Sequence, residues 1–256
     1  MPKSLLPCLA AAALLAASTA DAEQVTNGNF EAFSGGIPVG WTYSRGTGDG
    51  SNLESTTVSP FSSAYGSSTR SALLTDGSGT GSTPELRNFF PAISGNISLS
   101  FDFRLGGTTL PGDPWVVLPR GVSGLTAFNL FLDYGSGFRV TDGFAQNTIT
   151  PLAPSTWYHV QINASTPASI YNGSITPFGG APINWGNKAF INPLADIRGL
   201  SIFDDSTAAI ANAPLYLDNF SVTTAVPEPT AWSLLALALP IILVSLGCRK
   251  ALRLQV

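Results

Sequence analysis

The chain has 256 residues, only 11% of them charged, and a formal net charge of −4. Over residues 23–230, eight Lys and Arg stand against fifteen Asp and Glu, so the region repels phosphate groups and nucleic-acid binding is disfavoured. The same region contains no cysteine, which excludes disulfides and thiolate metal sites. Its length is enough to build the core of one β-sandwich.

The N-terminus has the three parts of a secretory signal. Lys3 supplies a weakly basic start, residues 5–17 form an apolar run, and Ala20-Asp21-Ala22 has the small-x-small pattern that signal peptidase cleaves. The apolar run is short for a retained membrane helix. Residues 1–22 are therefore predicted to be a signal peptide that signal peptidase removes after export through the Sec machinery.

The body of the chain alternates apolar and polar residues with a period of two, which is typical of half-buried strands. In the segment 97–105 the apolar residues occupy every second position, and Gly135-Ser136-Gly137 is predicted to turn one strand into the next. Strands are predicted in five further places: around 128–134, 138–140, 157–163, 199–203 and 215–222. Such short strands between Gly, Pro and Asn turns predict two packed antiparallel sheets, and the segments 46–51 and 75–83 are predicted loops.

Tryptophans supply the candidate ligand contacts. Trp115, Trp157 and Trp185 fall in predicted loops or at outward strand positions, where an exposed ring could stack on a sugar. Asn and Asp residues beside Trp115 and Trp185 could bond sugar hydroxyls. The alternative is that each ring is buried in the core, for which Trp41 is the best candidate.

A catalytic set does not emerge from the residue pattern. His159 is the single histidine and takes an outward position beside Trp157 and Gln161, with no nucleophile or partner indicated. Asp204 and Asp205 form the only adjacent acidic pair, but neighbouring strand residues point to opposite faces, which argues against a glycosidase. We therefore expect a protein that is not an enzyme, with a divergent glycan-active enzyme as the weakest alternative.

The C-terminus carries a second apolar run, residues 231–247, which spans roughly 25 Å at ~1.5 Å per residue. Arg249, Lys250 and Arg253 follow it, and positive charge favours the cytoplasmic side, so the body of the chain is predicted to lie outside. The alternative is a simple membrane anchor on a proline-rich stalk.

The sequence Val226-Pro227-Glu228-Pro229, a membrane helix and a basic tip together resemble the PEP-CTERM sorting signal over residues 226–253. The resemblance implies recognition by exosortase, a membrane protease-transpeptidase, in Gram-negative bacteria that make extracellular polysaccharide. It also implies transient anchoring in the inner membrane, followed by transfer to the cell surface or extracellular matrix.

Two other stretches resemble jelly-roll carbohydrate-binding modules. Asn27-Gly28-Asn29-Phe30-Glu31 followed by Gly40-Trp41 resembles their opening, and residues 215–222 resemble their closing strand. The resemblance implies a structural calcium ion bound by Glu31 and Asp218. Residues 157–160 instead resemble laminin-G and concanavalin-like sandwiches, which share the architecture.

These observations predict an all-β protein in three parts: the signal peptide helix at 1–22, an antiparallel two-sheet β-sandwich of jelly-roll type at 23–224, and the sorting signal with its transmembrane helix at 225–256. The expected function is structural or adhesive, in an extracellular polysaccharide matrix that the protein also binds. A stand-alone, calcium-stabilised carbohydrate-binding module is the alternative.

Overall fold

The structure, a computed structural model, describes residues 23–44, 50–62, 66–76, 83–107, 114–205 and 213–224. All of them belong to one compact unit, Ala20–Ala225. The predicted signal peptide, the sorting motif and the transmembrane helix lie outside the described residues. Within the described ranges no helix has the length and apolarity needed to span a bilayer.

Alternating side chains build two seven-stranded sheets and a small ribbon, β1 (Phe33–Ser34) with β2 (Ile37–Pro38). The first sheet, called sheet I, has the strand order β11-β10-β9-β8-β15-β6-β3. Its strands are β3 (Trp41–Ser44), β6 (Glu85–Ile93), β8 (Trp115–Arg120), β9 (Leu130–Asp133), β10 (Gly137–Asp142), β11 (Ala145–Thr150) and β15 (Ile197–Asp204).

The second sheet, called sheet II, has the strand order β14-β13-β12-β7-β16-β5-β4. All of the strand pairs in the described ranges are antiparallel, so the prediction of an all-β fold with two antiparallel sheets is confirmed. The strands of sheet II are β4 (Glu54–Ser55), β5 (Ser71–Leu74), β7 (Asn96–Leu105), β12 (Trp157–Ser165), β13 (Ile170–Pro177), β14 (Ile183–Ala189) and β16 (Leu215–Thr224).

The core lies between the two sheets and takes one apolar side chain from every second strand position. Phe103 of β7 meets Phe138 of β10 with ring centroids 6.4 Å apart, and Phe138 meets Trp185 of β14 at 5.6 Å. Burying one such side chain contributes about 1.5–3 kcal/mol, so rings from both sheets hold the layers together. Trp41 packs on Phe30 at 5.1 Å, as expected for a core tryptophan.

The predicted hairpin is confirmed at β9–β10. The Asp133 carboxylate accepts hydrogen bonds from the backbone N–H groups of Gly135 and Ser136, at 2.8 and 3.2 Å, which stabilises the turn. Gly137 has a φ of 80° and a Cβ there would lie 2.3 Å from the Thr150 carbonyl oxygen, so only glycine fits. The turn thereby sets the register of two strands of sheet I.

Candidate functional site

The outer face of sheet I carries the candidate site, and β6 shows how the sequence places it. Leu86, Asn88 and Phe90 are buried toward the core, so Glu85, Arg87 and Phe89 point outward. Of these, Phe89 breaks the usual pattern, because an apolar ring occupies a solvent-facing position and is 63% exposed.

The ring of Phe89 is held in place by a glycine on the neighbouring strand. Gly199 of β15 is the register partner of Phe89, and a Cβ on Gly199 would lie 2.9 Å from Phe89 Cδ1. The ring therefore leans over the bare backbone of β15, toward β8 on the other side. Arg120 of β8 is the next partner of Gly199 in the same row. Neighbouring strands lie about 4.8 Å apart, so the backbones of Phe89 and Arg120 are about 10 Å apart across β15.

Two arginines share the carboxylate of Glu85 on the same face of the sheet. Arg120 Nη2 lies 3.5 Å from Glu85 Oε1, and Arg87 donates a short hydrogen bond to Glu85 Oε2. Burial alone would raise the pKa of Glu85, but the hydrogen bond from Arg87 and the charges of Arg87 and Arg120 outweigh burial and hold that pKa below its usual range. The cluster therefore keeps a net positive charge in a chain that is otherwise acidic.

A third arginine lies further along the same face, over an apolar floor. The guanidinium of Arg139 is 4.9 Å from the centroid of the Phe131 ring and 3.8 Å from an Asp133 oxygen. Val116, Leu118 and Phe131 form a buried cluster with Phe203 packed against it, separate from the main core. We call the outward side chains from Glu85, Arg87 and Phe89 across to Arg139 the sheet I face.

The sheet I face combines two groups that suit a sugar ligand. An exposed aromatic ring offers a flat apolar surface to a pyranose ring, and guanidinium groups bind carboxylates with charge-assisted, bidentate hydrogen bonds. Phe89 and Arg87 come from β6 and Arg120 from β8, two strands of one sheet. Such a face could hold a saccharide that carries acidic groups.

The prediction that three tryptophans are exposed is wrong. Trp115, Trp157 and Trp185 are 0%, 8% and 7% exposed. Trp115 faces the core and donates its indole N–H to the Ala213 carbonyl at 2.7 Å. Trp185 faces inward and lies over Gly173, where a Cβ would be 2.6 Å from its ring. Trp157 does alternate outward, yet it is covered, so none of the three rings offers a face to a sugar.

His159 does have a positioned partner, contrary to the sequence interpretation. Its Nδ1 lies 2.6 Å from Oδ1 of Asp102, the residue opposite it on β7. Asp102 is fully buried, and its other oxygen accepts hydrogen bonds from Ser59 Oγ at 2.6 Å and Asn219 Nδ2 at 2.7 Å. Because Ser59 bonds the carboxylate and not the imidazole, the three side chains do not form a nucleophilic triad.

The two residues proposed to bind calcium both accept hydrogen bonds from one segment of the chain, residues 68–70. Glu31 accepts hydrogen bonds from Thr69 and from the backbone N–H of Arg70, which lower its pKa although burial opposes them. Asp218 accepts from Ser68 Oγ and from the backbone of Ser59 and Asn219.

These N–H and O–H donors provide hydrogen bonds to both carboxylates, so the two side chains hold the segment at residues 68–70 in place. Among the described residues no three His, Cys, Asp or Glu side chains are grouped to hold a metal ion. Burial raises the pKa of Asp218 to about 7, so much of it is protonated at neutral pH. Calcium at Glu31 and Asp218 stays a prediction, which a chelator that lowers the Tm would support.

Asp204 and Asp205 do not form a paired site. Asp204 is buried at the end of β15, whereas Asp205 is exposed. Their carboxylates therefore occupy different environments, as expected for neighbours on an extended chain. The residues that sequence reasoning missed are Phe89, Arg87 and Arg120, and the available signal was an apolar residue on the polar side of an alternating strand.

Comparisons with known proteins identify the fold. No protein-family model matches the chain, and no curated protein matches it. Among solved structures it is similar to the cellulose-induced protein Cip1, with a TM-score of 0.54 and 12% identity over 77% of this chain and 96% of that one. It is also similar to the catalytic domain of a glycoside hydrolase family 131 protein from Coprinopsis cinerea, with a TM-score of 0.51 and 15% identity over 80% and 94%.

A sialidase aligns with a TM-score of 0.50 and 16% identity over 66% of this chain. The chain spans 16% of the sialidase's length. At these identities the similarities establish a shared β-sandwich architecture.

Proposed function

We propose that the protein is an exported, exosortase-processed component of the cell surface or extracellular matrix whose jelly-roll domain binds acidic polysaccharide. The observation that carries the binding part is the exposed Phe89 ring, which lies over Gly199 on the same sheet face as Arg87 and Arg120. A uronic acid or other acidic sugar would stack on the ring and place its carboxylate against a guanidinium group. The protein acts here as a binder, without a catalytic role.

Affinity electrophoresis tests the binding part. The full chain, purified in mild detergent, is run through gels that contain alginate or hyaluronan as acidic polysaccharides. We expect the apparent Kd to become about tenfold weaker in Phe89→Ala and in Arg120→Gln. A tenfold change corresponds to roughly 1.4 kcal/mol, the loss expected from one stacked ring or one ion pair. Phe144→Ala is the matched control, because Phe144 is an exposed Phe in the β10–β11 turn. Equal retardation of Phe89→Ala and Phe144→Ala would contradict the site.

The sorting part has its own experiment. The mass of the mature C-terminus is measured for protein recovered from a host with and without exosortase. We expect a C-terminus close to residues 226–230 only when the enzyme is present. A tail that is intact in the membrane fraction under both conditions would contradict exosortase processing and leave a membrane-anchored sandwich.

A divergent glycan-active enzyme is the second candidate, favoured by one observation. The Asp102 carboxylate orients His159 at 2.6 Å, as a base-orienting carboxylate does in acid–base catalysis. Turnover of a polysaccharide that disappears in His159→Gln would support this candidate over a binding protein.

A further inference from the structure

The outer face of sheet II differs in chemistry from the sheet I face, and strand register shows how. β13, β12, β7 and β16 align their outward side chains in rows across the sheet. One row is Ser174, Gln161, Ser100 and Ser221, and the next is Asn172, Asn163, Ser98 and Thr223. Every member of these two rows is an uncharged hydroxyl or carboxamide.

The rows are joined by hydrogen bonds that leave further groups to bond a ligand. Gln161 Nε2 donates to Ser98 Oγ at 2.8 Å, and Asn172 Nδ2 donates to Asn187 Oδ1 at 3.0 Å. Each amide has a second N–H and a carbonyl oxygen, and each hydroxyl can both donate and accept. This inventory matches that of sugar hydroxyls, apart from Ser221, whose hydroxyl donates to the Glu23 carboxylate.

The third row ends the polar surface at an aromatic corner. Thr176, His159, Asp102 and Asp218 form this row, and the His159 ring lies 5.6 Å from the ring of Phe61. Phe178 meets Phe61 edge to face at 5.6 Å and is 58% exposed. An exposed phenylalanine therefore stands at the end of the rows without a core to fill.

A pocket of about 290 Å³ opens beside this corner. Its described lining is Ser59–Ser62 and Gly66–Ser68, so hydroxyl groups and the Phe61 ring surround it. The volume is close to that of ordinary small-ligand sites. His159 adds a preset contact, because Asp102 holds Nδ1 while Nε2 has no hydrogen-bond partner in the described part of the chain.

We propose that the outer face of sheet II, ending at the Phe61–Phe178 corner and its pocket, is a second saccharide-binding site, specific for a neutral, hydroxyl-rich glycan chain. The amide and hydroxyl rows bond the chain's hydroxyl groups, Phe178 stacks on a terminal ring, and Nε2 of His159 bonds a hydroxyl at the pocket mouth. Neutral-glycan binding does not depend on the sheet I site. If both sites bind, one molecule bridges an acidic and a neutral polysaccharide.

The test uses the full chain in detergent on gels containing mixed-linkage β-glucan or dextran as neutral glycans. We expect retardation of the wild type, with an apparent Kd about tenfold weaker in Phe178→Ala and severalfold weaker in Gln161→Ala. Phe144→Ala is the matched control and should bind as the wild type does. His159→Gln keeps a hydrogen-bonding side chain and should lose only part of the affinity. A single cooperative thermal transition confirms that each variant is folded.

Two outcomes overturn the inference. Either the wild type is not retarded by any neutral glycan, or Phe178→Ala and Gln161→Ala are retarded as the wild type is. Failure here is distinguishable from failure of the proposed function, because Phe89→Ala should lose retardation only on the acidic gels. Wild-type protein should also coprecipitate alginate with β-glucan, and Phe89→Ala and Phe178→Ala should each weaken that bridging.

Discussion

The two outer faces of the sandwich carry their charges differently. On the sheet I face, the side chains of Arg87 and Arg120 are 44% and 28% exposed, and they pair with Glu85, whose side chain is 13% exposed. On sheet II, Asp102 and Asp218 are fully buried beneath the segment between β4 and β5. Exposed pairs contribute little to stability and stay free to exchange partners, whereas buried carboxylates hold the structure. This difference predicts that removing a carboxylate should cost more stability on sheet II than on sheet I.

The largest expected effect is at Asp102. Asp102→Ala leaves His159, Ser59 Oγ and Asn219 without their common acceptor, so the free energy of unfolding should fall by about 3 kcal/mol. Glu85→Ala on the other sheet should cost less, about 1 kcal/mol, because the guanidinium groups that it leaves unpaired are partly exposed to water. Urea denaturation followed by far-ultraviolet circular dichroism measures both, and equal losses would break the comparison.

The next effect is the pH dependence that Asp218 introduces. Its pKa in the folded protein is raised by burial to about 7, above the ordinary value of 3.8, so its contribution to stability is complete below pH 4 and is lost as the pH rises through 7. The free energy of unfolding should fall by on the order of 2–3 kcal/mol between pH 5 and pH 8.

Asp218→Asn removes the titrating group and should flatten this dependence. Glu31 and Glu85 have lowered pKa values, so their contributions change only below about pH 4.5 and do not interfere in that window. A wild-type slope that persists in Asp218→Asn would assign the dependence to another group.

Two glycines give a matched pair across the sheets, since an aromatic ring lies over each. A Cβ on Gly173 would lie 2.3 Å from the Gln161 carbonyl oxygen and 2.6 Å from the buried Trp185 ring, so Gly173→Ala should destabilise by about 2–3 kcal/mol. A Cβ on Gly199 would lie 2.9 Å from both the Asn88 carbonyl oxygen and the exposed Phe89 ring. This overlap is smaller than that at Gly173, so Gly199→Ala should cost about 1–2 kcal/mol. Thermal unfolding measures the difference, and the Gly199 variant should also weaken alginate binding.

The smallest expected effect is on stability at Phe89 itself. Because the ring is exposed, Phe89→Ala should change the free energy of unfolding by no more than about 0.5 kcal/mol while reducing acidic-glycan binding. Retardation on alginate gels should also weaken as salt rises from 50 to 500 mM, since the arginine contacts are screened. A large loss of stability in this variant would mean that the ring is a structural residue.

Alternation of residue types predicted the strands well, because it depends only on neighbours along the chain. The segments at 97–105 and 157–163 form β7 and β12 with Tyr158, Val160 and Ile162 buried, as expected. Exposure could not be predicted in the same way. Trp157 alternates outward but is covered, and Asp102 takes an outward position yet is buried by a segment more than thirty residues away.

The sequence by itself determined the β class, the turn at 135–137, the aromatic core around Trp41, and the absence of cysteine chemistry from the body of the chain. It also supplied the sorting and export predictions, which lie outside the described residues. Tertiary structure alone decided that Phe89 lies over Gly199 in the same row as Arg120, and that His159 meets Asp102. The physical reason is that local pattern sets which side of a strand a residue faces, whereas strand order and register decide which residues meet there.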